Sequence, residues 1–172
     1  MSKDAQPRTW RRTALVLTGL FLVDQTFSGQ GLFSFAVAVG GLVLLTGGAL
    51  WSLVRGTRPL ARSRGLRASA YLLLGVATFA ATRLHLATAE HHAADVISAC
   101  QAYKMQYGVF PATLQQLVPE FLPAVPRAKY TLAYGEFTYW ASSEAHTLMY
   151  VAPPPFGRRL YHFEQAVWTQ VD

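Results

Sequence analysis

The densest cluster of metal-ligating side chains in the chain is Glu90-His91-His92, followed by Asp95. In a helix, His92 and Asp95 stand three residues apart and share a face, which makes them the candidate pair for a bound ion. His91 and His92 are adjacent, so they diverge by about 100° and do not easily turn to one ion. The cluster follows a hydrophobic run, so a solvated or headgroup-contacting face is the first reading. A zinc site is the alternative, and folding unchanged by zinc or chelator would exclude it. Ser142, Ser143, Glu144 and His146 supply the residue types of acyl transfer, but their close spacing suits a hairpin turn. Asp24 and Arg83 are the ionisable residues inside apolar runs. Both fall toward the ends of those runs, where a structural pairing is the simpler role. The single cysteine, Cys100, excludes an intrachain disulfide and a cysteine-cluster metal site. Its helical surroundings suggest a small packed residue rather than a nucleophile. No Gly-rich phosphate loop, nucleophile elbow or zinc-protease motif is present in the sequence. The expectation is a non-enzymatic protein with no catalytic residues, no cofactor, and no metal site beyond the His92–Asp95 candidate.

The elements that position these residues follow from composition. Of 172 residues, 52% are hydrophobic and 14% charged, and the mean hydropathy is +0.21. Soluble domains carry about 25% charged residues, so part of this chain is expected to avoid water. The net charge of +6 is unevenly placed. Lys3, Arg8, Arg11 and Arg12 precede the first apolar run, and Arg55, Arg58, Arg62, Arg64 and Arg67 separate the second from the third. From Leu84 onward, five Lys/Arg face seven Asp/Glu. Basic residues confined to short loops beside apolar runs orient a membrane protein and argue against a nucleic-acid partner.

The clearest span is Leu32 to Val54, which holds no charge. A bilayer core of ~30 Å needs about 20 helical residues. Its glycines (Gly40, Gly41, Gly47, Gly48) allow close helix approach in lipid. A first span is expected over about 13–28, with Trp10 beside Arg11 and Arg12 at one interface. A re-entrant hairpin is the other reading of that stretch. The amino terminus resembles a signal peptide but lacks a small-x-small cleavage site, so it reads as a retained span. A cytoplasmic loop is expected over 55–65, and a third span from Leu66 to about Leu86. The positive-inside rule then puts the amino terminus in the cytoplasm and the carboxy-terminal domain outside it, periplasmic in a Gram-negative bacterium.

No helix breaker follows until Gly108, and Val96, Cys100, Tyr103 and Tyr107 recur at helical spacing. One helix is therefore predicted from about Leu66 to Tyr107, roughly 60 Å at 1.5 Å per residue. Thr113 or Pro111 is expected to start a short helix that turns Leu114, Leu117 and Val118 inward. Pro119, Pro123 and Pro126 then enforce an extended path. From Lys129 the pattern becomes that of strands: Tyr130–Tyr134, Glu136–Ala141, His146–Ala152, Arg159–Phe163 and Val167–Val171, interrupted by Pro153-Pro154-Pro155 and Gly157. A sheet of 4–5 antiparallel strands over about 129–171 is expected. Its many aromatics, among them Tyr139, Trp140, Tyr150 and Trp168, are expected as core on one face and cross-strand pairs on the other.

This order, a membrane helix continuing into an amphipathic helix, a proline-rich loop and an antiparallel sheet, resembles the type IV pilin and type II secretion pseudopilin fold. The closest match is Ala102-Tyr103-Lys104, Gly108, Phe110-Pro111, Leu114 and Leu117, followed by Val118-Pro119-Glu120-Phe121-Leu122-Pro123. Similar proteins end their long helix near a Tyr-Lys pair, followed by a Gly-x-Tyr-Pro turn and a Leu-x-x-Leu helix. The resemblance covers residues 66–172, follows two further spans, and departs from the family pattern at several positions. Gly65 precedes Leu66 rather than Phe or Met, and the fifth residue after it is Ala70, where pilins carry Glu. Acids of the pseudopilin calcium loop also have no clear counterpart here.

The fold class expected is therefore about three transmembrane helices plus an α+β pilin-like domain. The resemblance implies an inner-membrane protein acting in assembly or handling of a type IV pilus or type II secretion pseudopilus. Its expected partners are the lipid bilayer and a pilin, pseudopilin or other membrane protein of the machine. The competing expectation is a membrane-tethered sensor or ligand-binding protein, which requires a concave pocket with convergent polar groups.

Overall fold

The computed structural model describes residues 5–152 and 157–171, with side chains from Trp10 onward. Lys3 and Pro153-Pro154-Pro155 therefore lie outside the described residues, as does the side chain of Arg8. The element order is α1 (Ala5–Phe27), α2 (Leu32–Val54), α3 (Arg58–Tyr107), a 3₁₀ turn (Leu114–Leu117), and strands β1 (Thr138–Ala141), β2 (His146–Ala152), β3 (Gly157–His162) and β4 (Val167–Val171). By contacts the chain divides into two compact units. One holds α1, α2 and α3 as far as Thr82; the other holds Ser28–Gln30 and the chain from Arg83 onward. The division falls inside α3 rather than at the 65/66 boundary expected from sequence.

In the helical unit, α2 has the bounds that its uncharged run predicts. α2 and α3 are long and apolar enough to cross a membrane. α1 does not meet that measure, because Arg11, Arg12 and Asp24 fall within it. The expected loop over 55–65 is much shorter. Gly56 turns the chain with φ +73°, and Thr57 O accepts the N–H groups of Leu60 and Ala61 at 3.1 Å each. Pro59 then sits in the first turn of α3, where its missing N–H has no helical partner to lose. α3 thus takes in Arg58, Arg62 and Arg64 of the expected loop, and Arg55 stays outside it.

The packing of this unit is inverted relative to a water-soluble bundle. Most of its buried side chains are small or polar: Ser34 and Ser52 of α2, Ala38, Ala61, Ala68 and Thr78. Its exposed ones are large and apolar, including Leu15, Val16, Phe33, Leu44, Leu50, Val54 and Leu73. Leu17, Ala38 and Leu74 form a small core with Phe21 and Tyr71. Gly41 lets the Tyr71 ring lie directly on the α2 backbone, since a Cβ there would stand 2.1 Å from Tyr71 Cδ1. The Arg64 guanidinium donates to Gly48 O at 2.5 Å and to Ser52 Oγ at 2.7 Å.

In the second unit, the final half of α3 packs on a four-stranded antiparallel sheet of order β1-β2-β3-β4. Ala89, Ala93, Val96, Ala99 and Cys100 on α3 meet Leu148, Tyr150, Ala152, Tyr161 and Phe163. The small residues on the helix face the large aromatics on the sheet. Register runs Thr138↔Met149, Leu148↔Tyr161 and Tyr161↔Trp168 across the three pairings. The expected strand Tyr130–Tyr134 is not one. The Lys129 N–H donates to Gly135 O at 3.1 Å, Thr131 Oγ1 donates to Ala133 O at 2.8 Å, and Tyr134 takes φ +57°. These bonds close a compact loop, so the β-favouring side chains have no ladder partner, and the sheet begins at Thr138.

Candidate functional site

The residues of the helix-stop motif converge at one end of the sheet. Gly108 adopts φ +80°, costly for any residue with a Cβ, and its N–H donates to Lys104 O at 2.8 Å. Phe110 packs between His146 and Phe163, with ring centroids 5.0 and 5.1 Å away, and Lys104 Nζ lies 4.2 Å above its ring. Pro111 is buried, and its carbonyl accepts the Tyr139 hydroxyl at 2.8 Å. Thr113 precedes the 3₁₀ turn, from which Leu114 and Leu117 point into the core. Tyr103 stacks on Tyr107 at 4.6 Å and Phe121 at 5.6 Å. The Tyr107 hydroxyl donates to Glu120 Oε2 at 2.9 Å, and Gln106 Nε2 donates to Glu120 Oε1 at 2.7 Å. Tyr103, Gly108, Phe110, Pro111, Leu114 and Leu117 therefore form one seam that ends α3 and ties the following loop to the sheet.

The metal-like cluster is dispersed among separate partners. His92 Nδ1–H donates to Arg127 O at 2.5 Å, and its ring meets Tyr130 edge-on. Asp95 instead faces His91, with Nε2 3.9 Å from Oδ2. One helical turn brings 91 and 95 together as readily as 92 and 95, and the Arg127 carbonyl draws His92 away. Glu90 pairs with Arg159 of β3. Among the described residues no group of three His, Cys, Asp or Glu side chains is arranged to hold a metal.

The Ser142–His146 set forms the β1–β2 turn. Ser142 Oγ donates to Ala145 O at 2.9 Å and accepts the Ala145 N–H at 3.0 Å. His146 Nδ1 lies 2.7 Å from Glu164 Oε1. Burial opposes ionisation of Glu164, yet the backbone and ring hydrogen bonds from His146 hold its carboxyl below the usual range. Cys100 is fully buried, and burial pushes its thiol up to about 12. Asp24 is 5% exposed, and its Oδ2 accepts the Ser34 N–H at 2.8 Å. It thereby satisfies one of the free donors at the start of α2 and complements the helix dipole.

Two open grooves flank the loop between α3 and β1. One, of about 410 Å³, is lined by Gln115, Pro126, Arg127, Glu136, Phe137 and Tyr139 among others. The other, of about 520 Å³, runs along His92, Asp95, Ala99, Phe121 and Pro123.

Lys129 has no counterpart in the sequence reading. It is fully buried, its Nζ has no hydrogen-bond partner, and burial lowers its ammonium from the usual lysine range to about 8. Nothing in Ala128-Lys129-Tyr130 marks the lysine as internal; the loop that closes over it is a tertiary feature. Comparison with family models, with curated proteins and with solved structures returns no match.

Proposed function

We propose that the chain is a non-enzymatic inner-membrane protein with about three spans and a pilin-like periplasmic domain. In this reading it acts in assembly or handling of a type IV pilus or type II secretion pseudopilus. The observation that carries it is α3, a single 50-residue helix. Its first part belongs to a unit with large apolar side chains outside and small or polar ones inside. Its last part lies on a four-stranded antiparallel sheet and ends in the Gly108–Leu117 stop. Exposed apolar surface of that extent suits lipid and is unstable in water. α1 completes the three spans, with Asp24 answered at the head of α2.

Tagged full-length protein purified from its native membranes is expected to carry pilin-like subunits or components of their assembly machine. Recovery without any of these would overturn the assembly role. The groove beside Arg127, Glu136 and Tyr139 supports the second reading, a membrane-tethered ligand-binding protein, because polar groups of both charges line it.

A further inference from the structure

Two separate segments of the chain meet at Gly29. A Cβ on Gly29 would stand 2.8 Å from Thr131 Cγ2 and 3.3 Å from the His85 ring, so Ser28–Gln30 is in close contact with both. Within two residues of this contact in sequence, two buried polar side chains lack partners. Lys129 has no exposure and an unbonded Nζ; Gln30 is 8% exposed, and neither Oε1 nor Nε2 is bonded. Lys129 is an electrostatic neighbour of His85. Four carboxylates of this unit are engaged elsewhere: Glu90 is taken by Arg159, Asp95 faces His91, Glu120 accepts from Gln106 and Tyr107, and Glu164 is held by His146; neither Glu136 nor Glu144 bonds Lys129 Nζ.

We propose that Lys129, Gln30 and His85 form a site for a phosphate group, carried by a phospholipid headgroup or by free phosphate. The donor inventory decides the class. An ammonium supplies three donors, a carboxamide two, and an imidazole one or two, while the Thr131 hydroxyl already donates to Ala133 O. Such a set lacks an anionic acceptor and matches a tetrahedral oxyanion, whose oxygens meet donors arriving from several directions. Leaving a buried donor unpaired costs about 1–3 kcal/mol, more when it is charged, and an anion would cancel that cost at Lys129. Position favours the lipid source. Gln30 lies just before the apolar run that starts at Leu32, and His85 ends the apolar run of α3. In the membrane reading both residues therefore fall at the end of an apolar run, at the level of lipid headgroups.

The lipid source rests on the membrane reading above, whereas the phosphate site itself does not. The test uses full-length protein in a neutral, phosphate-free detergent, stripped of lipid. Melting is followed with added phosphatidylglycerol, with inorganic phosphate, and with chloride at matched ionic strength. Phosphatidylglycerol is expected to raise the Tm by about 3–8 °C at saturation. Lys129→Met should abolish the rise, Gln30→Leu should at least halve it, and the exposed Arg158→Gln should keep it. A Lys129-dependent rise with inorganic phosphate alone would assign the site to free phosphate. No rise with either, or an equal rise in Lys129→Met, overturns the proposal. If Lys129→Met fails to fold, an undiminished rise in Gln30→Leu overturns it equally.

Discussion

Lys129→Met is expected to stabilise the ligand-free protein and to flatten its pH dependence. The fully buried ammonium has no partner, and burial brings its pKa from 10.5 to about 8. Between those values the unfolded chain binds the proton and the folded one does not, so stability rises with pH. The stability is greatest above the unfolded value and is lost as pH falls toward 8. Below 8 both states are protonated and the penalty is constant. A shift of this size corresponds to an order of ~3 kcal/mol. Methionine fills similar volume without a charge, so the variant should exceed the wild type by roughly that amount at pH 7. The difference between the two should shrink as pH rises from about 8 to 10.5. Denaturant unfolding of both proteins across pH 6.5–10, in phosphate-free and lipid-free detergent, reads this directly. A destabilised variant would mean that Lys129 has a partner inside the folded chain.

Gly41→Leu is expected to separate α2 from α3. A Cβ at Gly41 would fall 2.1 Å from Tyr71 Cδ1 and 2.7 Å from Cγ, the part of the ring nearest its own backbone. Rotating the side chain cannot clear the Cγ clash, so helix must move from helix. Overpacking of this kind costs about 1–3 kcal/mol and occasionally more. A Cβ at Gly40 or Gly47 meets nothing within 4 Å, so Gly40→Leu and Gly47→Leu should change melting little. Tyr71→Ala in the Gly41→Leu background should recover most of the loss, because it removes the obstructing ring. Equal melting of Gly40→Leu and Gly41→Leu would contradict the close approach of these helices.

The sequence was most informative where a local signal and the tertiary structure agree. The uncharged run gave both ends of α2, and Gly108 with Pro111 marked the end of α3. β-favouring composition between turn residues placed β2 and β4 on their observed bounds. The errors arose where partners distant in sequence decide. Tyr130–Tyr134 has strand composition, but the bond from Lys129 N–H to Gly135 O closes it into a loop. Arg58–Gly65 has loop-like charge, yet Thr57 and Pro59 start a helix there. His92 and Asp95 have the spacing of a ligand pair, but a backbone carbonyl and a neighbouring histidine take them separately. The internal position of Lys129 and Gln30 was not legible at all, since no local pattern reports which polar side chain a fold encloses.

The central claim, that the chain spans the membrane and holds its sheet outside the cytoplasm, is tested most directly by thiol labelling. Cys100 is the only cysteine, is fully buried, and has its thiol pushed up to about 12, so the native chain should stay silent toward maleimides. Ser143→Cys at the β1–β2 turn and Arg62→Cys near the start of α3 then report the two sides. With a membrane-impermeant maleimide on intact spheroplasts, Ser143→Cys is predicted to label at once. Arg62→Cys is predicted to label only after the membrane is opened. Labelling of Arg62→Cys but not Ser143→Cys in intact spheroplasts, or recovery of the chain in the soluble fraction, would contradict the account.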